Sequence, residues 1–208
     1  NEHSPVEAET SMELIRAAEL GDLYPLVRVR EISRPAVLIC NHQSHLDVMA
    51  VMMLTPKVVI MTNDWVWNNP LYGFMIRYAD FLPVSSGYDT ILPRLKELVA
   101  RGYSIAVYPE GTRSKDCSIG RFHQGAFHIA DTLGLDIIPL LLYGSGKVLP
   151  KHGRIINSWN MHLEIGGRIS PEMMAEYGQS CRERSSAMRK RYIRDYSSLA
   201  DRLDREIF

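Results

Sequence analysis

The sequence has no excess of charge of either sign: its 208 residues hold 24 Lys plus Arg against 24 Asp plus Glu. No global field therefore steers the chain to nucleic acid, and no basic block interleaved with aromatics suggests that partner either. Cysteine is scarce. Cys40, Cys117 and Cys181 are odd in number and scattered, without metal-ligand spacing, which argues against a disulfide scaffold or a metal site and for a reducing, cytoplasmic home. No apolar run approaches the roughly 18–20 residues that a membrane-spanning helix needs, and no signal-peptide pattern opens the chain. No internal repeat or low-complexity segment occurs, and there is no Gly-x-Ser-x-Gly nucleophile elbow. The glycine turn Gly144-Ser145-Gly146 lacks the lysine-serine pair of a phosphate loop.

What the chain does have is an alternation of short apolar runs with amphipathic stretches. Ala36–Ile39, Val58–Met61, Phe81–Val84, Ser104–Tyr108, Ile137–Tyr143 and His162–Gly166 read as strands. Ser11–Leu20, Val48–Leu54, Thr90–Arg101 and Phe122–Leu133 read as helices, three of them stopped by Gly21, Gly102 and Gly134. Leu26–Ile32 alternates loosely as an edge strand would, and Pro139 marks its strand as an edge or a bulge. From about 182 to 208 a helix carries Met188, Tyr192, Tyr196, Leu199, Leu203 and Ile207 on one stripe. The expected fold is α/β: a single domain over 1–208 with a mixed, largely parallel central sheet flanked by helices. The chain opens on Asn rather than Met, so that domain can be a piece of a longer protein.

The stretch Asn41-His42-Gln43-Ser44-His45-Leu46-Asp47 follows the first of these strands and precedes a helix. On one continuous helix, His42 and Asp47 would point about 140° apart. With His42 in the loop and Asp47 in the first helical turn, the chain can fold back and bring carboxylate to imidazole, a general base with its orienter. A second reading stands beside it. Ser44 and Asp47 also fit a capping box, in which case His42 is an ordinary loop histidine.

A second strand end carries Tyr108-Pro109-Glu110-Gly111-Thr112-Arg113-Ser114. Glu110 and Arg113 share a rim with His42 if the two strands are parallel neighbours, because ligands of open α/β sheets gather outside the strand carboxyl ends. Otherwise Gly111 makes a turn and the charges are solvated. Trp65–Ile76 is the most aromatic part of the chain, either an apolar surface that meets lipid or plain core packing. The tail helix bears Arg182, Arg184, Arg189, Lys190, Arg191 and Arg194, a solvated face or one that touches anionic head groups.

With both strand-end motifs placed, the chain resembles the lysophosphatidate (glycerolipid) acyltransferase family over about residues 35–170. Asn41–Asp47 is similar to the family's NHxSxxD block, Asn69–Val84 to its second block, and Tyr108–Ser114 to its FPEGTRS block with Tyr for Phe. Ile138–Leu140 with Gly144–Lys151 is similar to its fourth. The resemblance implies transfer of a fatty acyl group from a coenzyme A or acyl carrier protein thioester to a hydroxyl, or an amine, of a lipid or small-molecule acceptor. The place of action would be the inner face of a membrane, met peripherally. His42 would be the base and Asp47 its orienter. Glu110, Gly111, Thr112 and Arg113 would shape the acceptor site, and Pro139 the acyl-donor side. No metal and no cofactor beyond the thioester co-substrate is implied. One position departs from the pattern: Ser85 stands where the second block usually ends in an arginine, which points to an acceptor less charged than lysophosphatidate. Two other functions use the same residues: a hydrolase built on His42 and Asp47, and a non-catalytic lipid-binding module.

Overall fold

The computed structural model describes residues 32–62, 81–83, 88–153 and 155–206. The readings of Ser11–Leu20 and Leu26–Glu31, of Trp65–Ile76, and of Val84 and Ser85 lie outside them. Six strands form one sheet: β1 Val37–Cys40, β2 Val58–Thr62, β3 Phe81–Pro83, β4 Ser104–Val107, β5 Ile137–Tyr143 and β6 His162–Ile165, in the order β3-β2-β4-β1-β5-β6. All pairings are parallel except β5 with β6. The expected mixed, largely parallel sheet is therefore what forms.

Alternation along the strands sorts the core into two faces. Val37, Ile39, Val59, Ile105 and Ile137 pack under the helices Tyr88–Ala100 (α2), Gly125–Leu133 (α3) and, after the short helices Ser145–Val148 (α4) and Pro171–Met174 (α5), Cys181–Glu206 (α6). Leu38, Cys40, Ile60, Ala106, Ile138 and Leu140 face the other way, against Ala50 and Val51 of α1, Leu46–Met52. The apolar stripe read along the tail is the buried edge of α6, with Met188, Tyr192 and Leu199 at 2 % exposure or less. All three cysteines are free.

Two expectations change in detail. The helix read from Phe122 begins at Gly125 with Gln124 as its cap, because the two residues before the cap serve elsewhere. Phe122 packs edge-on against Tyr192 at 5.0 Å, and the His123 amide donates to the Pro109 carbonyl at 2.7 Å. Pro139 does not mark an edge, since β5 lies between β1 and β6. The bulge reading holds, on the facing chain. Leu140 pairs with Ile165 but Ile137 with Ile169, so three steps along β5 are met by four opposite. The proline's missing N–H falls where the antiparallel ladder is already interrupted.

Candidate active site

Because β1 and β4 are parallel neighbours, with Val37 opposite Ile105 and Ile39 opposite Val107, the two strand-end motifs emerge on the same rim. His42 and Asp47 meet there. Helix α1 starts at Leu46, which puts Asp47 in its first turn and brings Oδ2 to 2.8 Å from His42 Nδ1. A carboxylate only accepts, so Nδ1 carries the hydrogen and Nε2 is left to take a proton from outside. The His42 side chain is 17 % exposed and that of Asp47 fully buried.

The same carboxylate oxygen also accepts from the amides of Gln43 at 2.6 Å and Ser44 at 2.8 Å. The two readings of the motif are thus one arrangement: Asp47 reaches back to the helix entrance as a capping residue does and orients the imidazole with the same atom. The cap position falls on His45, which makes no side-chain cap bond, but Ser44 does the capping: its Oγ accepts from the Leu46 amide at 3.3 Å and donates to the Leu149 carbonyl at 2.9 Å.

Glu110 ties the second motif to the first. Its Oε1 accepts from the His42 amide and its Oε2 from the Gly120 amide, both at 2.8 Å. Burial raises its pKa, and the two amide bonds pull the other way. A Cβ at Gly120 would lie 2.7 Å from Glu110 Oε2, so a larger residue there would push the carboxylate from its place. The Ser114 amide closes the loop onto the His42 carbonyl at 2.7 Å. The ring of Tyr108 lies 4.4 Å from that of His42, tilted by 31°. Its hydroxyl is buried with no partner among the described residues, and burial holds its pKa well above the usual value.

The remaining residues read from the sequence take these places. Gly111 turns the loop at φ +66°, with the edge of the His123 ring 3.4 Å from where a Cβ would be. Thr112 Oγ1 and the Arg113 carbonyl both accept from Lys151 Nζ, at 3.0 and 2.7 Å. Arg113 lies close enough to His45 to help lower its pKa to about 4, after the larger effect of burial. Pro139 is buried in β5 opposite Ile39, its carbonyl accepting from Gly166 at 2.8 Å.

Four supporting residues escaped the sequence reading as parts of the site. Asn41 continues the β1–β5 ladder with its side chain: Nδ2 donates to the Leu142 carbonyl and Oδ1 accepts from the Leu142 amide, both at 2.8 Å. Tyr192 stands in the preceding rung. Its hydroxyl donates to the Ile39 carbonyl at 2.5 Å and accepts from the Leu140 amide at 3.1 Å. One helical turn on, Tyr196 accepts from Gln43 Nε2 at 2.8 Å. Polar tips on an apolar stripe were the available signal. Lys151, the fourth, had none beyond its place at the end of the fourth block. Among the described residues no group of three or more His, Cys, Asp or Glu is arranged to hold a metal ion.

A family model described as "Acyltransferase" matches residues 15–143, well over half of the 208. The chain belongs to the acyltransferase family. A chloroplastic 1-acyl-sn-glycerol-3-phosphate acyltransferase of Arabidopsis thaliana is 34% identical over 137 residues, which are 63% of this chain and 38% of that one. The Salmonella typhimurium 1-acyl-sn-glycerol-3-phosphate acyltransferase is 28% identical over 151 residues, 69% of this chain and 59% of its own. The chain thus spans about two fifths to three fifths of the length of these relatives. Among solved structures, the 1-acyl-sn-glycerophosphate acyltransferase PlsC from Thermotoga maritima superposes with a TM-score of 0.67 at 20% identity, covering 82% of this chain and 69% of that one. At that identity the likeness concerns the family fold.

Proposed function

We propose that this acyltransferase moves a fatty acyl group from a coenzyme A or acyl carrier protein thioester to the free hydroxyl of 1-acylglycerol-3-phosphate. The observation that carries the reading is the His42–Asp47 pair, 2.8 Å apart on the carboxyl rim of a parallel sheet, with Nε2 left over as a base. The phosphate-bearing acceptor comes from the relatives' names. Ser85, which points to a less charged acceptor, has only the sequence behind it.

In this reaction Nε2 of His42 removes the proton of the acceptor hydroxyl while its oxygen attacks the thioester carbonyl. The tetrahedral intermediate collapses with loss of the carbon–sulfur bond, and the departing thiolate recovers the proton from the imidazolium. One ester and one free thiol result. Asp47 holds the ring in the productive tautomer and faces the positive charge that forms on it. Glu110 acts on backbone, fixing the amide of the residue that bears the base. No metal or further cofactor enters this scheme.

Because the acceptor is a lipid, we place the reaction at the cytoplasmic surface of a membrane. No helix among the described residues is long and apolar enough to cross one. Of the basic residues on α6, Arg184 pairs with Asp131, Arg191 and Arg194 with Asp195, and Arg189 donates to the carbonyls of Ile119 and Gly120. Arg202 pairs with Glu164, and Arg205 donates to the Asp201 carbonyl, so among the described residues contact through this helix rests mainly on Arg182, Lys190 and Arg205. The test of the function is thiol release from an acyl thioester with lysophosphatidate, monoacylglycerol or no acceptor, with products weighed by mass spectrometry. Diacylated phosphate product formed only when all components are present is the expected result. Release of fatty acid without acceptor would make the chain a hydrolase, and no turnover of any thioester would overturn the proposal.

A further inference from the structure

The loop between α4 and β6 carries three large apolar side chains within five residues, Ile155, Ile156 and Trp159, exposed by 77, 69 and 41 %. None of them serves the base or its supports. Apolar residues exposed singly are ordinary, but a cluster presented to solvent marks a surface that meets something. This loop is also fastened in place. The Asn157 amide and Nδ2 donate to the carbonyls of Val148 and Lys147, at 2.8 and 3.0 Å, and Lys147 Nζ lies 4.4 Å from the centre of the Trp159 ring. The root of the loop is tied to both strand-end motifs. Ser44 Oγ donates to the Leu149 carbonyl at 2.9 Å, and Lys151 Nζ donates to Thr112 Oγ1 and the Arg113 carbonyl. The isoleucines therefore stand on a fixed frame beside the rim that bears His42.

Charge identifies what the loop faces. From Ile137 to Leu163 the sequence has no Asp or Glu, and every charged residue in that stretch is basic. Asp204 of α6 meets Lys147 at 3.6 Å, and His152, next to the root of the loop, is exposed. Two isoleucines suit hydrocarbon, and a tryptophan ring, apolar in body with a polar N–H, suits the head-group level. Basic residues with no acid among them suit an anionic leaflet. We propose that the loop 155–159 is the surface by which this acyltransferase sits on an anionic membrane, with Ile155 and Ile156 in the acyl region and Trp159 among the head groups. This deepens the function proposed above and rests on it for the membrane as the place of reaction. It moves the main contact away from α6, most of whose described arginines are already bonded, to the edge of the site. An acceptor lipid then has a short path from leaflet to His42, because the frame that holds the loop is bonded to the stretches that carry the base.

The experiment is cosedimentation of the full chain with vesicles of phosphatidylcholine, alone or mixed with phosphatidylglycerol. The parent should bind the mixed vesicles, and the double variant Ile155→Ser, Ile156→Ser should bind them at least about tenfold more weakly, since burying one such side chain is worth about tenfold or more. Both side chains are exposed, so the fold should survive, which circular dichroism checks. Turnover of an acyl thioester with dispersed short-chain lysophosphatidate should stay within about twofold of the parent, while turnover of long-chain lysophosphatidate held in the vesicles should fall with the binding. A parent that ignores the mixed vesicles overturns the proposal, as does a variant that binds them as tightly as the parent. So does a parent dimer, seen by sedimentation velocity without lipid, that the variant splits into monomers, because the loop then meets a second copy. Trp159, one of three tryptophans, gives a reading that needs no serine variant. Lipids brominated near the head group should quench a larger share of the parent's fluorescence than of the Trp159→Phe protein's, and equal shares refute insertion. Should every thioester assay fail while loop-dependent vesicle binding persists, the acyl-transfer reading falls and the membrane surface stands. Turnover of the short-chain acceptor without vesicle binding leaves the enzyme and removes this surface.

Discussion

Replacing Asp47 by Asn separates what its carboxylate does for the fold from what it does for chemistry. One oxygen of Asp47 accepts from His42 Nδ1, the Gln43 amide and the Ser44 amide at 2.8, 2.6 and 2.8 Å, and the other is fully buried with no partner among the described residues. An asparagine can offer its carbonyl oxygen to the same three donors, but each bond then falls from the charged range to the neutral one, a loss of about 1 kcal/mol apiece. Its NH2 group must then occupy the place of the orphan oxygen, a buried donor without an acceptor, at about 1–3 kcal/mol more. The sum is about 4–6 kcal/mol. A drop in melting temperature of roughly 8–24 °C follows at about 2–4 °C per kcal/mol for a chain of this size. Turnover should fall further than unfolding explains, because a neutral amide neither holds the Nδ1–H tautomer nor supports an imidazolium. His42→Ala is the control. It removes only one of the three donors and should cost little stability, while thiol release falls by about 100- to 10,000-fold. Thermal melts by circular dichroism and thiol release from the acyl thioester, on both variants, decide the matter. An Asp47→Asn protein that melts within 2 °C of the parent, or that turns over within about tenfold of it while folded, would refute this account of the carboxylate.

Tyr192→Phe strands the Ile39 carbonyl and the Leu140 amide, so about 2–4 kcal/mol of stability should be lost, measurable as a shift in urea midpoint; an unchanged midpoint would mean the rung re-forms without the hydroxyl. Gly144→Ala should cost about 3 kcal/mol or more, since its φ is +86° and the new Cβ would lie 2.1 Å from the Asn160 carbonyl oxygen; a soluble variant of parental melting temperature would contradict that. His45 takes up its proton at about pH 4 in the folded chain against about 6.5 unfolded. The unfolded state therefore binds more protons in that window, and stability is lost as pH falls from 6.5 to 4. His45→Gln should shrink the difference in urea midpoint between pH 7 and pH 4.5, and an unaltered difference would remove His45 as its source.

The sheet was legible because its strands are short β-branched runs and its helices end on glycines such as Gly102 and Gly134, both of which adopt positive φ. The meeting of His42 with Asp47 was legible for a local reason: five residues across a strand-to-helix turn leave few ways to fold back. That Asp47 would orient and cap through a single oxygen was not legible, since the sequence presents those as rival roles. Nor were Asn41, Tyr192, Tyr196 and Lys151. Each acts across a gap in the chain, 101 residues from Asn41 to Leu142 and 153 from Ile39 to Tyr192, and hydrophobic periodicity reports only that a residue is buried, never what its polar tip will find. Pro139 was half read, because a missing N–H announces a broken ladder without saying which of the two chains will carry the extra residue.

The hydroxyl of Tyr192 in the rung below the base also has a bearing on biosynthesis. Chains are made at about 5–20 residues per second, so the 153 residues between Ile39 and Tyr192 take roughly 8–30 s to follow. Throughout that interval His42 and Asp47 are already joined in one short segment of nascent chain, but the strand that carries them lacks its neighbour β5 for the first two thirds of it and, to its end, its rung-filling phenol and the helix that covers its other face. A ribosome-bound chain stopped short of Tyr192 should therefore contain the base and be unable to use it, and catalytic competence should arrive late in translation, when the phenol of α6 locks the carboxyl end of β1.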